Sequence, residues 1–160
     1  MRSSGDQKSY TVKEATLKLM QFCAYRDRSQ KEVEEKLIDM RMIPAAREKI
    51  IIQLMQENFL NEERFARSFA RGKFRIKKWG RNKIKQELKT REISSPLIKI
   101  ALTEIEEEEY LNTLRELAEK KSLLLKEKDP FKKRNKLNNY LLQKGYEPSF
   151  VYEVSGEIIK

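Results

Sequence analysis

The chain has 160 residues, enough for one domain or several small repeats. Apolar residues make up 39% and charged residues 38% of it, which suits a stack of small helical units better than one large core. The net charge of +10 points to a polyanion or an acidic protein surface as partner, while a single cysteine and no histidine exclude a disulfide framework, a zinc site and histidine acid–base chemistry.

Met1 to Lys8 is polar and has no apolar h-region, so a secretory leader is not expected, and residues 1–10 read as a flexible leader. No apolar run approaches the ~18 to 20 residues of a membrane span. The expectation is a soluble, cytoplasmic protein without a membrane partner. Thr11 with Glu14, and Ser29 with Glu32, have capping-box spacing and predict two helix starts. Cys23 follows Phe22 on an apolar face and reads as core packing. Pro44, Pro96, Pro130 and Pro148 each fall where a first helical turn can begin, because proline lacks only an N–H that has no intrahelical partner there. Asn61, Ser95 and Asp129 are candidate N-caps, and Gly145 a helix stop.

Apolar spacing agrees with nine helices and no strand. The stripes are Ala15, Leu19, Phe22; Val33, Leu37, Met40; Ile50, Leu54; and Phe65, Phe69, Gly72, Ile76. Ile84, Leu88 come next, then Leu97, Ala101, Leu102, Ile105, and then Leu114, Leu117, Ala118, Leu125. Leu137, Tyr140, Leu141 and finally Phe150, Val151, Val154, Ile158 complete the series. Three similar triplets emerge. Arg28 to Leu37 parallels Trp79 to Leu88 and Lys132 to Leu141, and the anchoring leucines Leu37, Leu88 and Leu141 recur after 51 and 53 residues. A period near fifty marks a repeat protein whose neighbouring units bury each other's apolar faces. The expected fold is all-α, three tandem three-helix repeats in an elongated, curved stack, with units at 11–57, 58–106 and 107–160.

The excess charge is local. Twelve basic residues and one acidic residue, Glu87, lie between Arg64 and Arg91, so the rest of the chain sums to −1. Arg64, Arg67, Arg71, Arg75 and Lys78 share an arc of about 80° on one helix, a ridge roughly 20 Å long. Lys73 and Lys77 fall on the other flank, while Arg81, Lys85 and Lys89 follow on the next helix. Like charges at this spacing repel, a cost that suits a polyanionic or acidic partner better than a merely solvated face. Trp79 can stack on a base or fill a gap between helices. The acidic run Glu104 and Glu106 to Glu109 either solvates a helix or pairs with the ridge. The five glycines form no phosphate-cradling loop and the four aspartates are scattered, so no enzyme, metal or cofactor is expected.

The run Leu54-Met55-Gln56-Glu57-Asn58-Phe59-Leu60-Asn61-Glu62-Glu63-Arg64-Phe65-Ala66, the basic helix after it and Trp79 to Leu88 together resemble the RecX family of RecA regulators. Arg26, Arg28, Ser29, Glu32, Val33, Lys36 and Leu37 match its opening motif, and Lys144-Gly145-Tyr146 the turn of its last repeat. The resemblance spans about residues 11 to 159. This sequence departs from the family at Arg41, Asn58 and Glu92, where glycine is usual, and at Asn61-Glu62, which replaces a frequent Asp-Asp. The resemblance implies a regulator that binds in the groove of the RecA filament and suppresses its recombinase and ATPase activities, and a monomer is expected. DNA, single- and double-stranded, is a further partner it implies. Two other readings remain open from the residues: an autonomous helix-turn-helix transcription factor, and a scaffold for an acidic protein.

Overall fold

A computed structural model describes residues 9–160, so most of the expected leader lies outside the described residues. Among these there are nine helices and no strand. They are α1 (Val12–Tyr25), α2 (Gln30–Asp39), α3 (Pro44–Gln56), α4 (Glu62–Lys77), α5 (Arg81–Thr90), α6 (Ser95–Leu102), α7 (Glu107–Leu124), α8 (Pro130–Gln143) and α9 (Pro148–Ile158). They pack as three triplets, α1–α3, α4–α6 and α7–α9.

The punctuation expected from sequence sets most of the starts. Thr11 and Glu14 form a reciprocal capping box, and the Ser29 and Asn61 side chains accept from the amides of Glu32 and Arg64. Two caps differ. Ser94, not Ser95, is the N-cap of α6, because Pro96 occupies the second helical position instead of the first. Asp129 is the N-cap residue of α8, but its side chain makes no cap hydrogen bond.

The second helix of every triplet ends in the same way. The amides of Met42, Ile93 and Tyr146 donate back to the carbonyls of Leu37, Leu88 and Leu141 at 3.0, 3.1 and 3.2 Å. This is the Schellman closure, which requires a left-handed residue before the closing amide. That residue lies four places after each anchoring leucine: Arg41 (φ 61°), Glu92 (φ 60°) and Gly145 (φ 101°). Only the third copy has glycine, the residue that adopts this region without steric cost. Met42, Ile93 and Tyr146 are then buried, and so are all three leucines. Left-handed backbone at a residue with a Cβ costs about 1–2 kcal/mol. Glu92→Gly should therefore raise stability by about 1 kcal/mol, read as a higher urea midpoint. Leu88→Ala, at a site with no exposure, should cost about 2–5 kcal/mol in the same measurement.

The α4 stripe is a correction. Ile76 is 78% exposed and Gly72 only half-buried. The buried face is Phe65, Ala66, Ala70 and Phe74, with Phe69 half-buried beside it. Two small alanines on this face leave room for α6, which packs against α4. Ile105 and Leu125 also pack inward, but from just beyond the ends of α6 and α7.

The expected burial between neighbouring units holds for only one of the two seams. The second and third units share a continuous core, whereas the first has its own, built on Leu19, Leu37, Ile50 and Leu54. The first seam is polar. Asp27 pairs with Arg64 at 2.6 Å, Glu62 accepts from the Gln30 amide at 3.1 Å, and the Lys31 ammonium donates to the Thr90 carbonyl at 3.1 Å. A groove of about 680 Å³, lined by residues of both units including Lys31, Glu32, Phe69 and Thr90, runs along this seam. Burial pushes the Glu62 carboxyl above the usual carboxylate range, the Gln30 amide offsets part of this, and Glu92 adds to it.

The second seam is welded by backbone. Gly80 and Asn82, at the start of α5, donate their amides to the carbonyls of Lys144 and Gly145 at 2.8 and 2.9 Å. The orphan donors of one helix N-terminus are thus satisfied by the chain of the next unit. Behind them, Tyr110 lies between Phe74 and Tyr146, with ring centroids 5.8 and 5.1 Å away. The Tyr146 hydroxyl donates to the Lys78 carbonyl at 2.9 Å. Burial, with Glu147 beside both, pushes the Tyr110 and Tyr146 phenols well above the usual range, so both stay protonated donors.

Candidate nucleic-acid interface

The basic residues of α4 and α5 divide into those held by the fold and those left free. The N-terminal half of the α4 ridge is held. Arg64 pairs with Asp27 and also donates to the carbonyls of Asn58 and Phe59 at 3.1 and 3.2 Å, which fixes the turn entering the helix. Arg67 pairs with Glu63 and Glu104 at 3.3 and 3.5 Å, and Arg71 reaches the same Glu104 at 3.0 Å. Glu104, first residue of the acidic run, is thus a partner of the ridge.

Arg81 belongs to the second seam. Its guanidinium lies 3.9 Å from the Tyr110 ring centroid, pairs with Glu147 at 3.0 Å and also bonds Glu107. Partial burial lowers its pKa, but the hydrogen bonds it donates to Glu107 and Glu147 outweigh this and hold it above the ordinary value. Arg81→Ala would leave Glu147 without its cation. The expected result is a loss of about 1–3 kcal/mol, between the exposed and fully buried cases, seen as a lower melting temperature.

Trp79 is half-buried against the shared core, edge-on to Phe69 at 6.4 Å. The ammonium groups of Lys73 and Lys83 lie 5.1 and 4.6 Å from its ring centroid, so two cations flank the ring. Lys85 and Lys89 stand on α5. They border a separate groove between α5 and α6, with Lys99, Ile98 and Leu102.

What remains at the C-terminal end of α4 is a compact cationic cluster. Arg75, Lys77 and Lys78 are exposed, and among the described residues none has an ion-pair partner. Lys78 caps the helix in left-handed backbone (φ 60°), and its carbonyl is pinned by Tyr146. Lys144 from the third unit donates its ammonium to the Lys77 carbonyl at 3.1 Å and brings another positive charge to the same place. The second seam therefore anchors the backbone beneath the cluster and adds Lys144 to it. Sequence spacing located the ridge but missed Lys144. Its signal was the Lys-Gly-Tyr turn, which closes on the end of α4.

Such a surface attracts phosphates or carboxylates by charge and offers no group placed for bond-making. Among the described residues no three potential metal ligands come together, no helix is long and apolar enough to cross a membrane, and Cys23 is a buried thiol whose pKa burial raises. The fold and this surface define a tandem three-helix repeat protein with an exposed cationic face.

The comparisons with known proteins narrow that class. Residues 61–102 match the family model "RecX, second three-helix domain", and residues 107–154 match "RecX, third three-helix domain". The chain is 33% identical over 135 residues to regulatory protein RecX of Clostridium perfringens, covering 83% of this chain and 61% of that protein. With the RecX of Oceanobacillus iheyensis the identity is 31% over 147 residues, covering 91% and 53%. The crystal structure of RecX from Lactobacillus salivarius superposes with a TM-score of 0.83 at 23% identity, covering 92% of this chain and 96% of that one. The chain belongs to the RecX family. It spans about three-fifths of the length of the clostridial relative.

Proposed function

We propose that this chain is a non-catalytic regulator that binds the RecA filament on single-stranded DNA and suppresses its recombinase and ATPase activities, acting as a cytoplasmic monomer. The observation that carries the reading is the cluster of Arg75, Lys77, Lys78 and Lys144 on a chain of the RecX family. Among the described residues these cations have no carboxylate partner, and the third unit anchors the backbone beneath them at the Lys77 and Lys78 carbonyls. Free cations at a fixed site release counterions from a polyanion without first breaking internal pairs.

The helix-turn-helix alternative finds less support. Its reading helix would be α6, whose eight residues are Ser-Pro-Leu-Ile-Lys-Ile-Ala-Leu. Apart from Ser95 and Lys99 that helix has no side chain able to hydrogen-bond a base edge.

The test is the ATPase rate of the host's recombinase on single-stranded DNA, with this protein titrated in. Suppression that saturates with added protein is the expected result. An unchanged rate, with no cosedimentation of the protein with the filament, would refute the proposal.

A further inference from the structure

The end of the α7–α8 hairpin is the most exposed apolar feature of the third unit. Leu123 and Leu124 are the last two residues of α7, and Phe131 stands in the first turn of α8. They are 85%, 74% and 64% exposed. The neighbouring Leu125 packs inward, so the chain had a way to turn apolar side chains to the core here and did not use it for these three.

The surroundings are cationic. Residues 120–136 contain eight basic and two acidic residues. Of the acids, Glu127 is taken by Lys136 at 3.2 Å, which holds its carboxyl below the usual range. Lys120, Lys126, Lys128, Lys132 and Lys133 have no ion pair among the described residues.

We propose that this tip is a second contact point, separate from the α4 cluster, which inserts Leu123, Leu124 and Phe131 into an apolar, carboxylate-rimmed socket on a protein partner. The inference rests on the proposed function, since the protein of the filament is taken as the partner. Charge complementarity selects the rim: five free ammonium groups around three apolar side chains match carboxylates around an apolar socket. Bases are a poorer match, because two of the three side chains are aliphatic and cannot stack. A bilayer is a poorer match too. An in-plane membrane helix carries an apolar stripe along its length, whereas these residues are confined to one end of a hairpin, with Asp129 between them.

The test uses the whole protein. A benzoylphenylalanine photocrosslinker replaces Leu124. The protein is irradiated with RecA assembled on poly(dT), with poly(dT) alone, and with phosphatidylglycerol–phosphatidylcholine vesicles. The expected product is an adduct with RecA. Adducts with DNA or lipid only would overturn the proposal.

In parallel, Leu123→Ser, Leu124→Ser and Phe131→Ser are combined. These side chains are exposed, so the melting temperature should hold. Cosedimentation with the filament should weaken at least tenfold, while affinity for bare poly(dT) stays unchanged. If the variant binds the filament as the parent does, the tip proposal fails and the proposed function stands. If the parent protein itself does not bind the filament, both fall.

Discussion

Gly80→Ala is expected to break the weld between the second and third units and to cost about 3 kcal/mol or more. An added Cβ at Gly80 would lie 2.3 Å from the Gly145 carbonyl carbon, and 2.4 Å from both its oxygen and the Tyr146 nitrogen. All three are backbone atoms, so no rotamer change relieves the clash. The seam must open, which endangers the Gly80–Lys144 and Asn82–Gly145 hydrogen bonds and shifts Tyr146 away from Tyr110. Overpacking alone costs about 1–3 kcal/mol, and each lost backbone bond adds about 1 kcal/mol. Gly72→Ala is the comparison, because nothing lies within 4 Å of a Cβ there and the residue is inside a helix. That change should stabilise by about 0.5–1 kcal/mol. Urea denaturation of both variants decides the matter. Equal midpoints for the two would show that the close approach at Gly80 does not matter to the fold.

The helices and their grouping were legible because their signals are local. Caps, first-turn prolines and apolar residues four apart all act within one or two turns. The recurrence of Leu37, Leu88 and Leu141 exposed the repeat directly, and the left-handed turn four residues after each leucine shows why glycine is usual there. Arg41 and Glu92 adopt the glycine conformation despite carrying side chains. The α4 stripe was misread because Ala66 and Ala70 are small and do not stand out among phenylalanines, yet both are completely buried. The unequal seams were not legible at all. Whether a unit joins its neighbour by core or by polar contacts depends on residues far apart in sequence, such as Gly80 against Gly145 and Asp27 against Arg64.

The same limit applies to the site. Spacing marked Arg64, Arg67, Arg71, Arg75 and Lys78 as one ridge. It could not indicate that Asp27 and Glu104, more than thirty residues away on either side, hold the first three. A helical wheel reports direction from one axis only, and neutralisation comes from other elements. Arg81 looked like part of the cationic run for the same reason, though its partners Glu107 and Glu147 lie on the third unit.

That division fixes the outcome of charge reversal. Replacing Arg75, Lys77 and Lys78 together by glutamate is expected to weaken binding to single-stranded DNA and to the filament more than tenfold. Each phosphate contact contributes ~0.7 to the salt slope on single strands, so losing three should flatten the slope by about 2. Three introduced carboxylates then repel the phosphates, and the loss is greatest at low salt, where screening is weakest. Reversing Arg64, Arg67 and Arg71 should behave differently. These arginines are paired with Asp27, Glu63 and Glu104, so new glutamates face old ones and the first cost is stability. A lower melting temperature should accompany any binding defect in that variant, and much less so in the Arg75, Lys77, Lys78 variant, whose side chains are exposed and unpaired among the described residues. Lys13, Lys18 and Lys49, exposed on the first unit, provide a control with the same change in net charge. Fluorescence anisotropy of labelled poly(dT) across a salt series, with a melting curve for each variant, separates the cases. If the control reversal weakens binding as much as the α4 cluster reversal, only net charge matters and the cluster has no special role.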